Sequence, residues 1–189
     1  MNKEGSFTGY LYIEGYAPSC KLGFQYTDTT STPSGDISSS GIKSIDTNLV
    51  KTDYLCANTV TGSAAALFHF EQTNNHGEYL ITSRDPNYYN GCYLGIDGDS
   101  YIFAYRERSE SNAFSFKKNG KLVTLNEMTG ESAADMELVC RDGGIELHKK
   151  VVRDGTKGKQ WAAYVCTKDG DIGLVGPKIL LKIVARNID

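Results

Sequence analysis

One loop of this chain collects residue types that suit sugar recognition. Residues 84–90 read Arg-Asp-Pro-Asn-Tyr-Tyr-Asn, so a guanidinium, a carboxylate, amides and phenol rings lie close together. A sugar site needs an aromatic face for the apolar side of the ring and planar polar groups for its hydroxyls, and shallow sites of this kind are built on loops. Tyr88 or Tyr89 would stack on the sugar, with Asp85, Asn87 and Asn90 bonding its hydroxyls. The candidate ligand-binding residues are Arg84, Asp85, Asn87, Tyr88, Tyr89 and Asn90. The alternative is that both tyrosines only pack over the end of the domain.

A second candidate surface is the charged segment from Lys149 to Lys159. Within it, Arg153-Asp154-Gly155 has the composition of a hairpin turn. On a chain with a net charge of −3, this basic finger suits an acidic partner. A solvated loop is the alternative. The candidate partner-binding residues are Lys149, Lys150, Arg153, Lys157 and Lys159.

Catalytic groups are not recognisable in the sequence. Of the three histidines, His69 and His76 have neither a nucleophile nor a metal-ligand spacing beside them, and we expect them at the surface or in a turn. Asp97-Gly98-Asp99 could open a calcium loop, but Arg108 occupies the twelfth position, where an EF-hand has glutamate. A hairpin turn is therefore expected there. Glycine-rich nucleotide loops do not occur in the sequence. We expect a protein that is not an enzyme and has no metal or cofactor.

The composition favours one soluble β domain. The chain has 189 residues, 40 % of them hydrophobic and 23 % charged, with 20 glycines and 12 tyrosines. These values favour β structure with many turns. The net charge of −3 and the pI near 5.6 give no basic field for nucleic acid. No run approaches the roughly 18 apolar residues of a membrane helix, so no membrane span is expected.

The five cysteines are widely spaced and odd in number. Most lie in apolar runs, where a free cysteine behaves as a small buried hydrophobe. Reduced thiols and the lack of a visible signal peptide predict a cytoplasmic protein, or one exported without such a peptide. These cysteines are Cys20, Cys56, Cys92, Cys140 and Cys166.

Residues 77–125 contain one complete repeat of four strand-like runs joined by turns. The second run begins Cys92-x-Leu-Gly, and the same pattern begins at Cys20. The interval from Tyr101 to Phe114 is nearly the same as the interval from Tyr54 to Phe68. A third, less regular copy follows. Such self-similarity indicates units that bury their apolar faces against one another.

Three units of four strands with aromatic strand ends resemble the β-trefoil superfamily. The run from Cys92 to Phe116 is most similar to fascin-type and agglutinin-type repeats. The resemblance implies a single β-trefoil domain over residues 1–189, with three pseudo-repeats and long loop insertions. It implies either a lectin-like carbohydrate-binding protein or a protein-binding module, such as a cytoskeletal binder, a protease inhibitor or a receptor ligand. The sequence has thirteen strand-like runs, one more than this fold needs, so Trp161 to Cys166 forms an inserted hairpin or a terminal run is misassigned.

Alternation also predicts the core and one long excursion. The segment from Thr27 to Asp53 is polar and small, which indicates a long loop. Asn126 to Cys140 is the only stretch with a helical pattern, and Gly130 interrupts it. The predicted core residues are Leu11, Leu22, Leu55, Phe68, Phe70, Leu80, Leu94, Ile102, Phe114, Phe116, Leu122, Leu138, Ile145 and Leu181.

Overall fold

The computed structural model describes residues 4–16, 19–27, 49–140, 143–155, 158–167 and 176–188. These residues form an all-β structure, as predicted, with one short 3-10 turn at Glu110–Asn112. Each run predicted from the sequence corresponds to one strand. Within the described ranges, no helix has the length and apolar character that crossing a lipid bilayer requires. The strands are β1 (Phe7–Ile13), β2 (Cys20–Thr27), β3 (Leu49–Asn58), β4 (Leu67–Gln72), β5 (Glu78–Ser83), β6 (Tyr93–Ile96), β7 (Ile102–Tyr105), β8 (Phe114–Lys118), β9 (Lys121–Val123), β10 (Ser132–Cys140), β11 (Gly143–Gly155), β12 (Gly158–Thr167) and β13 (Ile179–Arg186).

All these strands belong to one antiparallel sheet, and six of them pair in a closed cycle. β1 pairs with β4, β4 with β5, and β5 with β8. β8 then pairs with β10, β10 with β13, and β13 with β1. Each of the six strands therefore has a partner on both of its edges, which satisfies backbone groups that an open sheet leaves exposed. We call these strands the ring.

Three hairpins alternate with pairs of ring strands along the chain. They are β2–β3, β6–β7 and β11–β12. The hairpins pair with one another, because β3 contacts both β7 and β12, and Tyr101 just before β7 bridges to Cys166 of β12. β9 is neither a ring strand nor part of these hairpins, and it pairs with β8. Trp161 to Cys166 lies within the third hairpin.

An aromatic nucleus fills the space that the ring encloses. Phe7, Phe70, Tyr79 and Phe116 come from four different ring strands, and each has 0 % exposure. The rings of Phe7 and Phe70 stack at 4.4 Å, and Tyr79 meets Phe7 edge to face at 5.4 Å. The Tyr79 hydroxyl accepts a hydrogen bond from the Leu125 backbone N–H at 3.2 Å, so the one polar atom of the nucleus is satisfied.

Leu122 is a correction to the predicted core, because its side chain is 42 % exposed, whereas the other predicted core residues are buried. It lies on β9, outside the ring, where alternation gives no buried face. Its side chain covers Gly77, at which an added Cβ would lie 2.7 Å from Leu122 Cδ2.

The predicted loop from Thr27 to Asp53 is wrong at both ends, because Thr27 belongs to β2, β3 begins at Leu49, and residues 49–51 pair with Gln25, Tyr26 and Thr27. These residues form a two-stranded ribbon at the surface, which needs no alternation of apolar residues. The ribbon therefore has no strand pattern that could be recognised in the sequence. Residues 28–48 lie outside the described residues. The Arg153–Gly155 turn was also misplaced, since Arg153, Asp154 and Gly155 lie in β11 and pair with Gln160, Lys159 and Gly158 of β12. The helical pattern of Asn126 to Cys140, which Gly130 interrupts, does not give a helix, and Ser132–Cys140 forms strand β10.

Candidate functional site

The predicted ligand loop connects β5 to β6, and its own polar groups hold its shape. Asp85 is 8 % exposed, and its Oδ1 accepts the Asn87 backbone N–H at 2.9 Å. The Ser83 hydroxyl donates to the Tyr88 carbonyl at 2.6 Å. Asn87 and Asn90 are exposed. The Asp85 carboxylate thus serves as an internal turn cap, which leaves it little freedom for an external hydroxyl.

Both tyrosines of the loop are half-buried and pack against the core. The Tyr89 ring meets Phe24 edge to face at 5.1 Å, with Tyr89 at φ 54°. The Lys51 ammonium lies 4.6 Å from the Tyr89 centroid and 5.7 Å from the Tyr88 centroid. A cation that close attracts the electron-rich ring, so a sugar stacking there would compete with Lys51. The role of this loop in ligand binding stays a prediction.

Arg84 lies apart from the other candidates of its loop. Its guanidinium contacts the His69 ring at 3.3 Å, and both side chains line a cleft that includes neither tyrosine. His69 is 5 % exposed, which corrects the expectation of a surface histidine. Its neighbours in sequence, Phe68 and Phe70, face the core. His69 lies on the opposite face of β4, where it lines the same cleft as Arg84. His76 lies in an exposed turn as predicted.

The basic segment does not present its charges to one surface. The Lys149 ammonium lies 5.3 Å from the Tyr101 ring, whereas that of Lys150 lies 4.2 Å from the Trp161 ring. A register shift between His148 and Val151, with Lys149 at φ 51°, separates the two side chains. Lys159 is exposed. Lys157 lies outside the described residues, and Arg153 is described by its backbone pairing with Gln160.

The three hairpins bring together three tyrosines, Tyr54, Tyr101 and Tyr164, by a cyclic backbone register. Tyr54 stands opposite Phe103, two residues after Tyr101. Tyr101 stands opposite Cys166, two residues after Tyr164. Tyr164 stands opposite Cys56, two residues after Tyr54. The three tyrosines therefore occupy equivalent register positions in the three hairpins, and we call them the tyrosine triad.

The triad rings meet one another edge to face at nearly equal distances. Centroids are 5.7 Å apart for Tyr54 and Tyr101, 5.8 Å for Tyr101 and Tyr164, and 5.6 Å for Tyr54 and Tyr164. This is a favourable arrangement for aromatic quadrupoles. All three side chains are partly exposed. A cleft of about 190 Å³ opens over them, lined also by Asp99 and Lys149. We call it the tyrosine cleft.

Polar groups surround the tyrosine cleft. The Tyr101 hydroxyl and Nδ1 of His148 share a short hydrogen bond. The Tyr26 hydroxyl donates to the Lys149 carbonyl at 2.8 Å, which fixes the backbone beside the cleft. Asp97 Oδ1 accepts the backbone N–H groups of Asp99 and Tyr101, each at 2.9 Å. These two bonds make Asp97-Gly98-Asp99 the predicted hairpin turn and position the Asp99 carboxylate.

Two phenols of this cleft, those of Tyr54 and Tyr164, have a raised pKa. Burial raises the pKa of Tyr164 to about 12, and the neighbouring Cys56 and Tyr26 add to the shift. The Asp97 carboxylate raises the pKa of Tyr54, because a second negative charge there is unfavourable. The hydroxyls of Tyr54 and Tyr164 are therefore protonated at neutral pH and available as both donors and acceptors.

Metal and thiol chemistry have little support in the described parts of the chain. No group of three or more His, Cys, Asp or Glu side chains that could hold a metal occurs among the described residues. None of the five cysteines forms a disulfide, and Cys92 alone of them is more than slightly exposed. Burial raises the pKa of the Cys20 thiol to about 12 and also raises that of Cys56. These thiols are protonated and weakly nucleophilic at neutral pH, as structural cysteines are.

Sequence analysis missed the triad because its members are far apart in the chain. One signal was available, since each triad tyrosine precedes a ring-strand residue by nearly the same interval. In the order of the triad, these ring-strand residues are Phe68, Phe114 and Ile179. Only the first two intervals were recognised.

Comparison with protein-family models, with curated proteins and with solved structures finds no match for this chain.

Proposed function

We propose that the chain is a β-trefoil domain. Its closed ring of six strands and its three mutually paired hairpins support this proposal, since the β-trefoil combines those two features. The cyclic register of the tyrosine triad adds an approximate threefold relation between the units. On this interpretation β9 is the surplus strand, and each unit supplies one ring strand, one hairpin and a second ring strand.

We further propose that the protein is a non-enzymatic glycan-binding protein whose site is the tyrosine cleft. The observation that carries the proposal is the convergence of three partly exposed aromatic rings with Asp99 and Lys149 around one opening. Aromatic rings offer a surface to the apolar face of a sugar, and the phenol, carboxylate and ammonium groups can bond its hydroxyls. The groups belong to strands and a tight turn, so they are fixed before a ligand arrives.

The tyrosine cleft meets these requirements better than the loop at residues 84–90. In that loop the Asp85 carboxylate caps a backbone N–H, and Lys51 lies against Tyr88 and Tyr89. In the tyrosine cleft Asp99 is exposed.

A glycan array followed by two matched variants tests the proposal. Tyr101→Ala removes one member of the triad, whereas Tyr88→Ala removes a half-buried tyrosine of the other candidate loop. We expect Tyr101→Ala to lower affinity for any glycan identified by about two- to tenfold, because stacking of an aromatic ring contributes about 0.5 to 1.5 kcal/mol. We expect Tyr88→Ala to leave the affinity unchanged. The reverse result would assign the site to residues 84–90. If both variants bound the glycan as strongly as wild type does, both sites would be excluded.

A protein-binding module is the second candidate. Tyrosine and tryptophan are enriched at protein interfaces, and Lys150 lies over Trp161 with exposed Tyr16 next to it. A glycan array with no binding would favour this function. Affinity capture comparing wild type with a variant lacking residues 149–159 would then test the basic segment. Localisation in the cytoplasm, or export without a visible signal peptide, stays a prediction.

A further inference from the structure

A second cleft of about 380 Å³ is lined by residues of strands β4, β5 and β6, and nothing in the proposed glycan site uses it. Arg84, His69, Thr82 and Tyr93 are among the residues that line it, and none of them lines the tyrosine cleft. On β4, His69 and Glu71 line this cleft, whereas Phe68 and Phe70 on the other face of the strand are buried in the core. The two clefts are thus separate features of the molecule.

His69 fixes the position of the Arg84 guanidinium. A guanidinium has no acceptor, so its Nη2 donates to His69 Nδ1 at 3.3 Å. The other ring nitrogen, Nε2, lies 3.3 Å from the Ile188 carbonyl oxygen. The His69 ring therefore lies between the backbone and Arg84. The Arg84 backbone N–H also donates to the Leu67 carbonyl at 2.8 Å, so both ends of this residue are anchored.

The positive charge of Arg84 is not neutralised within the described structure. Glu71 lines the same cleft, but both of its carboxylate oxygens accept from Arg108 Nη1 at 3.0 Å. Arg108 in turn contacts Glu110 at 2.8 Å. Among the residues that the structure describes, no carboxylate lies within ion-pair distance of Arg84. An oriented cation thus faces a cleft large enough for a monosaccharide.

We propose that this cleft binds a small carboxylate ligand of the uronic acid type, with Arg84 as the carboxylate-binding residue. The planar guanidinium matches a carboxylate through two parallel hydrogen bonds. His69 is a positioning residue, since its ring nitrogen Nδ1 lies 3.3 Å from the Arg84 guanidinium. The Tyr93 ring and the Thr82 hydroxyl supply one apolar surface and one polar group for the rest of the sugar. This site is independent of the proposed glycan site.

Calorimetric titration with sodium glucuronate, compared with glucose at equal ionic strength, tests the proposal. We expect heat of binding with glucuronate and none with glucose. Arg84→Gln should lower the affinity at least about tenfold, since hydrogen bonds to charged groups are the strong ones. Arg106→Gln is the matched control, because Arg106 is an exposed arginine that does not line this cleft. It makes the same charge change and should bind glucuronate as wild type does.

Two further measurements separate this site from general attraction to anions. In an amide NMR titration, glucuronate should shift the signals of Gly91 and Tyr93. Arg84→Lys should bind glucuronate more weakly than wild type, because lysine keeps the positive charge but lacks the planar pair of N–H donors of the guanidinium. Inorganic phosphate binding as well as glucuronate, equal loss in Arg84→Gln and Arg106→Gln, or no loss in Arg84→Gln would overturn the carboxylate assignment. Arg84 is exposed, so its substitution leaves the fold intact, which a thermal unfolding curve verifies.

Discussion

The phenol ring of Tyr26 lies parallel to that of Tyr164, with centroids 4.3 Å apart and an interplanar angle of 8°. Tyr26 belongs to the first hairpin and Tyr164 to the third, so the stack joins two units that are distant in sequence. Tyr164 also belongs to the tyrosine triad. Its ring therefore has both a structural role and a place in the proposed binding site, and substitutions can separate the two.

Tyr164→Ala should lower the free energy of unfolding by about 2 to 3 kcal/mol, because it removes a stacked pair and two edge-to-face contacts. Tyr164→Phe keeps the ring and should change stability by less than about 0.5 kcal/mol. Urea unfolding followed by fluorescence measures both. Equal losses in the two variants would show that the hydroxyl, not the ring, is what stabilises this position.

Stability should fall at alkaline pH through the tyrosine cluster. The folded-state pKa of Tyr164 is raised to about 12 from the ordinary 10.0, and those of Tyr26 and Tyr54 are raised as well. Well below pH about 10 the phenols of Tyr164, Tyr26 and Tyr54 are neutral in both states, and their contribution to stability is fully present. Between pH about 10 and about 12 the unfolded chain ionises first, so stability is progressively lost.

Urea unfolding at pH about 9 and about 11 checks this expectation. The decrease between the two should be smaller in Tyr164→Phe, which lacks the ionisable group. A decrease of the same size in both proteins would move the cause to other residues.

Two glycines of the repeated Cys-x-Leu-Gly pattern should differ in their tolerance of a methyl group. At Gly23 an added Cβ would lie 2.8 Å from the Ala64 backbone oxygen, and at Gly95 it would lie 2.2 Å from Tyr105 Cε1. A backbone carbonyl cannot rotate away, whereas the partly exposed Tyr105 ring can. We expect Gly23→Ala to cost about 2 to 3 kcal/mol and Gly95→Ala about 1 kcal/mol. Urea unfolding of both variants decides the order, and a larger cost at Gly95 would contradict the steric explanation.

Phe114→Ala should cost about 3 to 5 kcal/mol, the usual range for a fully buried phenylalanine. Phe114 has 0 % exposure and belongs to ring strand β8, whereas Leu122 on neighbouring β9 is 42 % exposed. Leu122→Ala should therefore cost less than about 1 kcal/mol. Chemical unfolding of the pair checks both values. A loss near 3 kcal/mol for Leu122→Ala would mean that β9 contributes to the core after all.

Strand positions and core residues could be predicted because they follow from local alternation. Phe114 and Phe116 alternate with polar neighbours, and both prove fully buried. The same reasoning gave a wrong burial for Leu122. The residues around it do form a strand, but the burial of its side chain depends on which part of the protein packs against β9. The prediction for His69 was wrong in the opposite sense, since a residue expected at the surface is buried. Alternation places it on the outer face of β4, and only the neighbouring strand and the residues near the end of the chain enclose it.

The tyrosine triad was beyond local reasoning because it depends on register between hairpins. Tyr54, Tyr101 and Tyr164 are much farther apart in the sequence than the reach of any strand or turn pattern. Their meeting requires that each hairpin pair with the next at one offset. Loop composition pointed instead to residues 84–90, where the polar groups are close in sequence. There the Asp85 carboxylate bonds within its own turn.

The cyclic register of the triad also makes the tyrosine cleft a late product of folding. Each of its three rings arrives from a different third of the chain, so no single unit can form the cleft by itself. Contacts of such long range are expected to form slowly. A ligand bound there stabilises the complete fold through mass action, so it should raise the resistance of all three units to unfolding together, and its binding would report whether the whole domain has assembled.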